Sequence, residues 1–145
     1  MFSGHSNHRL DDKGRLIIPA RYRTSLGEKF YILRSIHGDE CIWIMPEDEY
    51  NELIHDLSSK IQRTDIQGQR WLKRILASSF LCEEERQGRV LIQQNLRDSI
   101  GLEDADVTLV GVMNHIEIWS SAKWKEIDEH DFLEDTMFVN SKYGV

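Results

Sequence analysis

Cysteine and proline are scarce in this chain, with two of each among 145 residues, and long apolar runs are missing. Each absence removes a class of protein. Cys41 and Cys82 form neither a CxxC pair nor a disulfide framework, which fits a reducing, cytosolic compartment rather than a stapled secreted scaffold. Of the six histidines, only His5 and His8 lie close together. They have no cysteine or carboxylate at ligand spacing, so no metal is predicted. No stretch approaches the ~20 apolar residues of a bilayer-spanning helix, and Met1-Phe2-Ser3-Gly4-His5 lacks the charged and apolar regions of a signal peptide. Membrane association is not expected. A Gly-rich phosphate loop, a nucleophile elbow and a metal-ligand cluster are also missing. Asp11-Asp12 and Glu83-Glu84-Glu85 read as turn and solvent-facing charge rather than acid–base pairs. No catalysis, cofactor or small-molecule substrate is therefore predicted.

What the chain does contain is a repeat. Gly14-Arg15-Leu16-Ile17-Ile18 returns as Gly88-Arg89-Val90-Leu91-Ile92, and the echo runs on to Gly27 and Gly101 at a constant separation of 74 positions. Downstream, Tyr31-Ile32-Leu33 answers Val107-Thr108-Leu109 and Cys41-Ile42-Trp43 answers Glu117-Ile118-Trp119, now 76 positions apart. The second copy thus carries two extra residues after Gly101. Half of such a unit seldom buries its own apolar face, so the halves are expected to form one compact domain. The expected division is a first half over 1–53, connecting helices over 54–78, a second half over 79–128 and a tail over 129–145.

Local signals repeat with the motif. Asp11-Asp12-Lys13-Gly14 is a turn cluster, and Arg15 to Ile18 reads as a strand. Pro19 suits the start of a short helix from Ala20 to Leu26, which Gly27 closes. Strands follow at Phe30–Leu33 and Cys41–Met45, then a helix from Glu47 to Ser58 with Tyr50, Leu53, Ile54 and Leu57 on one stripe. Thr64 is the expected cap of a helix to Ser78 that Gly68 weakens. The second half then gives a strand at Phe80–Glu84, a turn at Arg86-Gln87-Gly88, a strand at Arg89–Ile92 and a short helix at Gln94–Ile100. Strands at 106–112 and 115–119 and a helix from Ser121 to Asp128 complete it. Residues 130–145 are acidic and aromatic without clear periodicity; they can dock on a neighbour or be mobile, and the mobile state is the one expected. Trp43 and Trp119, at equivalent strand ends, are expected in the core.

The net charge of −7 argues against indiscriminate polyanion binding, but its distribution matters more than its sum. Arg9, Lys13, Arg15, Arg21 and Arg23 crowd the first motif against only Asp11 and Asp12. The second motif sets Arg86, Arg89 and Arg97 against Glu83, Glu84 and Glu85. Basic potential is therefore assigned to the first half.

Leu10-Asp11-Asp12-Lys13-Gly14-Arg15, two aliphatics, Pro19 and Arg21-Tyr22-Arg23 together resemble the MraZ family of bacterial transcriptional regulators. Ile118-Trp119 and the doubled motif extend the likeness over residues 1–128. The second copy departs from the family pattern, with Glu85 in place of the usual Asp before Arg89 and Gln93 in place of Pro. The resemblance implies a mostly β fold with helical caps, a double-split β-barrel made as a pseudo-dimer of two swapped-hairpin, AbrB-like halves. It also implies ring-like homo-oligomers in the cytoplasm, associated with the nucleoid. Their double-stranded DNA target would be short tandem repeats in the promoter of the division and cell-wall gene cluster.

Arg15, beside a glycine turn at a strand start, suits bidentate contact with guanine or phosphate. Asp11 can orient its fork, or the two can form an internal pair that only fixes the hairpin. Arg9 and Lys13 are expected at phosphates, which position a protein without reading sequence. Arg21 and Arg23 lie on the following helix, where Arg23, matched by Arg97, also fits a structural pair with an acidic neighbour. Arg86 and Arg89 complete the candidate set, with Arg89 expected to matter less than Arg15. The rival function is an AbrB-like oligomeric interaction module of antitoxin type, favoured by the acidic C-terminal residues.

Overall fold

The duplicated strands pair by exchange between the two halves. A computed structural model describes residues 1–83, 88–102 and 104–145. Its elements are β1 (His5–Arg9), β2 (Arg15–Ile17), α1 (Ala20–Leu26), β3 (Lys29–Arg34), β4 (Ile42–Pro46), α2 (Glu47–Lys60) and α3 (Ile66–Ala77). The second copy supplies β5 (Phe80–Glu83), β6 (Arg89–Leu91), α4 (Gln94–Ser99), β7 (Asp106–Val112), β8 (His115–Ser120) and α5 (Ser121–Asp128), and α6 (Phe132–Tyr143) follows. The expected turn around Arg86, and Glu84 and Glu85 beside it, fall outside the described residues.

Six strands form an antiparallel sheet in the order β1-β7-β8-β4-β3-β5, and β2 pairs with β6 in a separate two-stranded ladder. The order reads the same from either edge once each strand is exchanged for its repeat counterpart. β1 of the first copy lies beside β7 of the second, and β5 of the second beside β3 of the first. A pseudo-twofold axis passes through the Ile42–Ile118 pair in the sheet and the Leu16–Val90 pair in the ladder.

Side-chain alternation buries both faces of this sheet. Ile32, Ile42, Ile44, Val107, Leu109, Ile116 and Ile118 point to one core, which the ladder, α1 and α4 close with Leu16, Ile18, Tyr22, Leu26, Val90, Ile92, Leu96 and Ile100. Leu33, Cys41, Trp43, Met45 and Trp119 point to the other, covered from α2, α3 and α5 by Tyr50, Ile75 and Trp124. Burial pushes the Cys82 thiol up to about 11 and the Cys41 thiol higher still, so both stay protonated and unreactive at neutral pH.

Four expectations change. The architecture is mixed helix and sheet, with more residues in helices than in strands, because α2 and α3 form a full covering layer rather than caps. The sheet does not close into a barrel: β1 and β5 are its edges, and the Asp11–Gly14 turn separates β1 from the β2–β6 ladder. Asp65, not Thr64, caps α3, its side chain accepting the Gly68 N–H at 2.9 Å. Residues 130–145, where no helix is expected from sequence, contain α6, capped by Asp131 accepting from Leu133 and Glu134 and closed by Gly144 at a φ of 67°. Periodicity missed it because no face of α6 is buried. Phe132, Leu133, Met137, Phe138 and Tyr143 are all exposed.

Candidate nucleic-acid interface

The first turn is built by Asp11. Its carboxylate accepts the backbone N–H groups of Lys13 at 2.9 Å and Arg15 at 2.8 Å. Its own N–H donates to the Arg15 carbonyl, and the Gly14 N–H donates to the Asp11 carbonyl, both at 3.0 Å. Asp11 thus orders the hairpin through main-chain donors, the role that aspartate plays in turns generally. These bonds, above all that from Arg15, hold its carboxyl below the usual aspartate range, against a smaller desolvation effect. The positive charges of Arg15 and Arg89 add to the lowering.

An arginine from the other half lies against each of the two motif glycines, Gly14 and Gly88. Gly14 has a φ of 80°, and a Cβ there would lie 2.6 Å from Arg97 Cζ. Gly88 has a φ of 73°, and its Cβ would lie 2.8 Å from Arg23 Cδ. Glycine is favoured at both places by its positive φ, and each arginine occupies the room a Cβ would take. Arg97 Nε donates to the Ile92 carbonyl at 3.0 Å. Backbone bonds then cross the ends of the ladder: Ile18 N–H donates to the Gly88 carbonyl and Ile92 N–H to the Gly14 carbonyl, each at 2.9 Å.

The result is a short ribbon with two unlike faces. Its register pairs Arg15 with Leu91, Leu16 with Val90 and Ile17 with Arg89. Leu16 and Val90 point into the core, at 0% and 1% exposure. Arg15, Ile17, Arg89 and Leu91 therefore lie on the outer face, with Ile17 at 53% and Leu91 at 39% exposure and both arginines half-buried. The arginines occupy one diagonal and the aliphatics the other.

Arg9 and Arg21 are engaged elsewhere. Arg9 pairs with Asp106 at 2.8 Å across β1 and β7. Arg21 donates to the Tyr22 hydroxyl at 3.2 Å, and its guanidinium lies 4.6 Å from that ring's centre. It faces the N-terminal segment, where burial, aided by its charge, lowers the His8 pKa. Lys13 is exposed on the first turn, and Arg23 lies against Gly88. Arg86 lies outside the described residues. Sequence reasoning missed the adjacency of Arg15 and Arg89 and the outward position of Ile17 and Leu91. The constant separation of 74 positions was the available signal. Among the described residues, no three His, Cys, Asp or Glu side chains are grouped to hold a metal, and no helix is long and apolar enough to cross a membrane.

The turn makes a pH prediction. A lowered carboxyl contributes stability that is complete above the unfolded-state pKa and is lost as pH falls through the folded-state value. The Lys13 and Arg15 amide resonances of the wild type should move together at a pH below the usual aspartate range. Asp11→Asn keeps an accepting oxygen and should abolish that shared titration while preserving the turn. Shared movement that persists in Asp11→Asn would assign it to another group.

The pseudo-twofold antiparallel sheet, exchanged strands and paired-arginine ribbon define an internally duplicated, interlocked α+β protein. The family model described as "MraZ protein, putative antitoxin-like" matches residues 1–70 and 75–138, and the chain belongs to this MraZ family. It is similar over its full length to a protein of Lachnoclostridium phytofermentans, 36% identical over 146 residues, covering 100% of this chain and 99% of that protein. A protein of Moorella thermoacetica is 37% identical over 142 residues, covering 94% and 96%. One from Desulfitobacterium hafniense strain DSM 10664 / DCB-2 is 39% identical over 124 residues, covering 86% and 84%. All three are named Transcriptional regulator MraZ.

Proposed function

We propose that this protein is a sequence-specific DNA-binding transcriptional regulator. The observation that carries the reading is the β2–β6 ribbon, which presents Arg15 and Arg89 on one outer face. A two-stranded ribbon is narrow enough for the major groove, and an arginine fork pairs bidentately with guanine. Arg15 and Arg89 are the proposed base contacts and Lys13 a phosphate contact, with Arg86 a further candidate on the second turn. Arg23 lies against Gly88. Arg9 and Arg21, engaged with Asp106 and Tyr22, are the weaker members of the set. The relatives' names support regulation of transcription. The resemblance supports short tandem repeats in the division and cell-wall promoter as the target, and a cytoplasmic, nucleoid-associated location.

The same reading treats 1–53 and 79–128 as the two AbrB-like halves of one domain, joined by 54–78. The ladder and the six-stranded sheet are taken together as the double-split, swapped-hairpin unit. One ribbon offers few cations against a net charge of −7. Several copies in a ring would add their contacts by avidity on repeated sites. The exposed apolar residues of α6 support such assembly. They equally favour the second reading, an antitoxin-type interaction module.

Gel retardation of the gene's own upstream fragment separates the two. A DNA regulator should retard it, with affinity falling as salt rises at about −0.9 in log–log slope per phosphate contact. It should also sediment as an oligomer. A protein that oligomerises but leaves the fragment unshifted at low salt is an interaction module.

A further inference from the structure

On the DNA-binding reading, we infer that Ile17 and Leu91 contact thymine methyl groups, so that each arginine and the aliphatic opposite it read two neighbouring base pairs. Single exposed aliphatics are ordinary on a protein surface. These two are not independent. They occupy the same position of the repeat, 74 residues apart. Each stands across the ladder from an arginine of the other half, Ile17 from Arg89 and Leu91 from Arg15.

Outward positions of a half-solvated strand are normally polar. Here the polar arginines alternate with Ile17 at 53% and Leu91 at 39% exposure. The aliphatic pair therefore belongs to whatever surface the arginines meet. In the major groove the apolar feature is the thymine C5-methyl, beside the guanine O6 and N7 that accept from arginine. Directly opposed residues hold their Cβ atoms about 5 Å apart, and successive base pairs are stacked ~3.4 Å apart. An arginine and its cross-strand aliphatic thus span one base step. The pseudo-twofold through Leu16 and Val90 sets the second arginine–aliphatic pair in the reverse sense. The preferred site should therefore carry guanine next to thymine.

The test removes the methyl groups from the DNA. The upstream fragment is made with thymidine, or with deoxyuridine throughout, and titrated at one salt concentration with five proteins. These are wild type, Ile17→Ala, Leu91→Ala, the double variant and Ile17→Val, each checked by its melting curve and sedimentation. Wild type should bind deoxyuridine DNA more weakly by about fourfold for each contacted methyl. The double variant should bind both DNAs within about twofold of each other, and Ile17→Val, which keeps a branched methyl pair, should retain most of the discrimination. Wild type that retards both DNAs equally overturns this inference and leaves the DNA-binding reading intact. Variants with an undiminished thymidine-to-deoxyuridine ratio overturn it as well, including any whose oligomeric state has changed. Wild type that retards neither DNA overturns the DNA-binding reading itself.

Discussion

Replacing Arg15 or Arg89 by alanine is expected to weaken binding to the upstream DNA by about 1–3 kcal/mol per ribbon, roughly 5- to 150-fold, while the protein stays folded. Charge counting along the sequence ranks Arg15 well above Arg89, because Glu83, Glu84 and Glu85 crowd the second turn. The ladder register weakens that ranking. Arg89 stands opposite Ile17 of the first half, on the face that Arg15 shares, and its charge is felt at Asp11. The two variants should therefore fall within a few-fold of each other. Lys13→Ala should instead lower affinity for all sequences alike and flatten the salt dependence by about one unit of slope, as for a phosphate contact. Arg15→Lys keeps the charge without the planar fork and should recover the salt slope but not the sequence preference. Titrations on the promoter fragment and on an unrelated fragment of equal length supply every comparison. Arg15→Ala with wild-type affinity would remove the ribbon from the interface. Loss in Arg15→Ala alone would restore the first half to dominance and make the acidic second turn the controlling charge.

The largest stability effect should come from the residue that anchors this ribbon. Leu16 is fully buried between the ladder and the six-stranded sheet, in a cluster with Leu10, Ile18, Val90 and Ile92. Leu16→Ala removes buried methyls and leaves a cavity, a change that costs about 2–5 kcal/mol. At roughly 2–4 °C per kcal/mol for a domain of this size, Tm should drop by about 5–15 °C. Ile17, one residue on, points outward, and Ile17→Ala should stay within about 0.5 kcal/mol of wild type. The contrast follows from the two-residue period of a strand. Equal melting losses in the two variants would mean that the ladder is not docked through Leu16.

Much of this was legible in the residues. The constant spacing of the two motifs, the Pro19 and Gly27 limits of α1, the strands around Ile32, Ile44, Leu109 and Ile118, and the burial of Trp43 and Trp119 all follow from local chemistry. So does membership of the MraZ family, carried by the Asp11-to-Arg23 motif. Less legible were segments whose state depends on contacts made far along the chain. β1, His-Ser-Asn-His-Arg, has no aliphatic residue to mark it as a strand and exists through its pairing with β7. α6 is bounded by its caps, not by an apolar stripe against this subunit.

By itself the sequence determined the repeat, the turn glycines and the candidate cations, because turn geometry, capping and residue chemistry act within a few positions. Only the tertiary structure decided which of those cations stand together. Exchange of strands across the pseudo-twofold joins Arg15 to Arg89, sends Arg23 to Gly88 and Arg97 to Gly14, and draws Arg9 to Asp106. Strand register between residues 74 positions apart is set by how two apolar faces pack into one core, and no local signal carries that information.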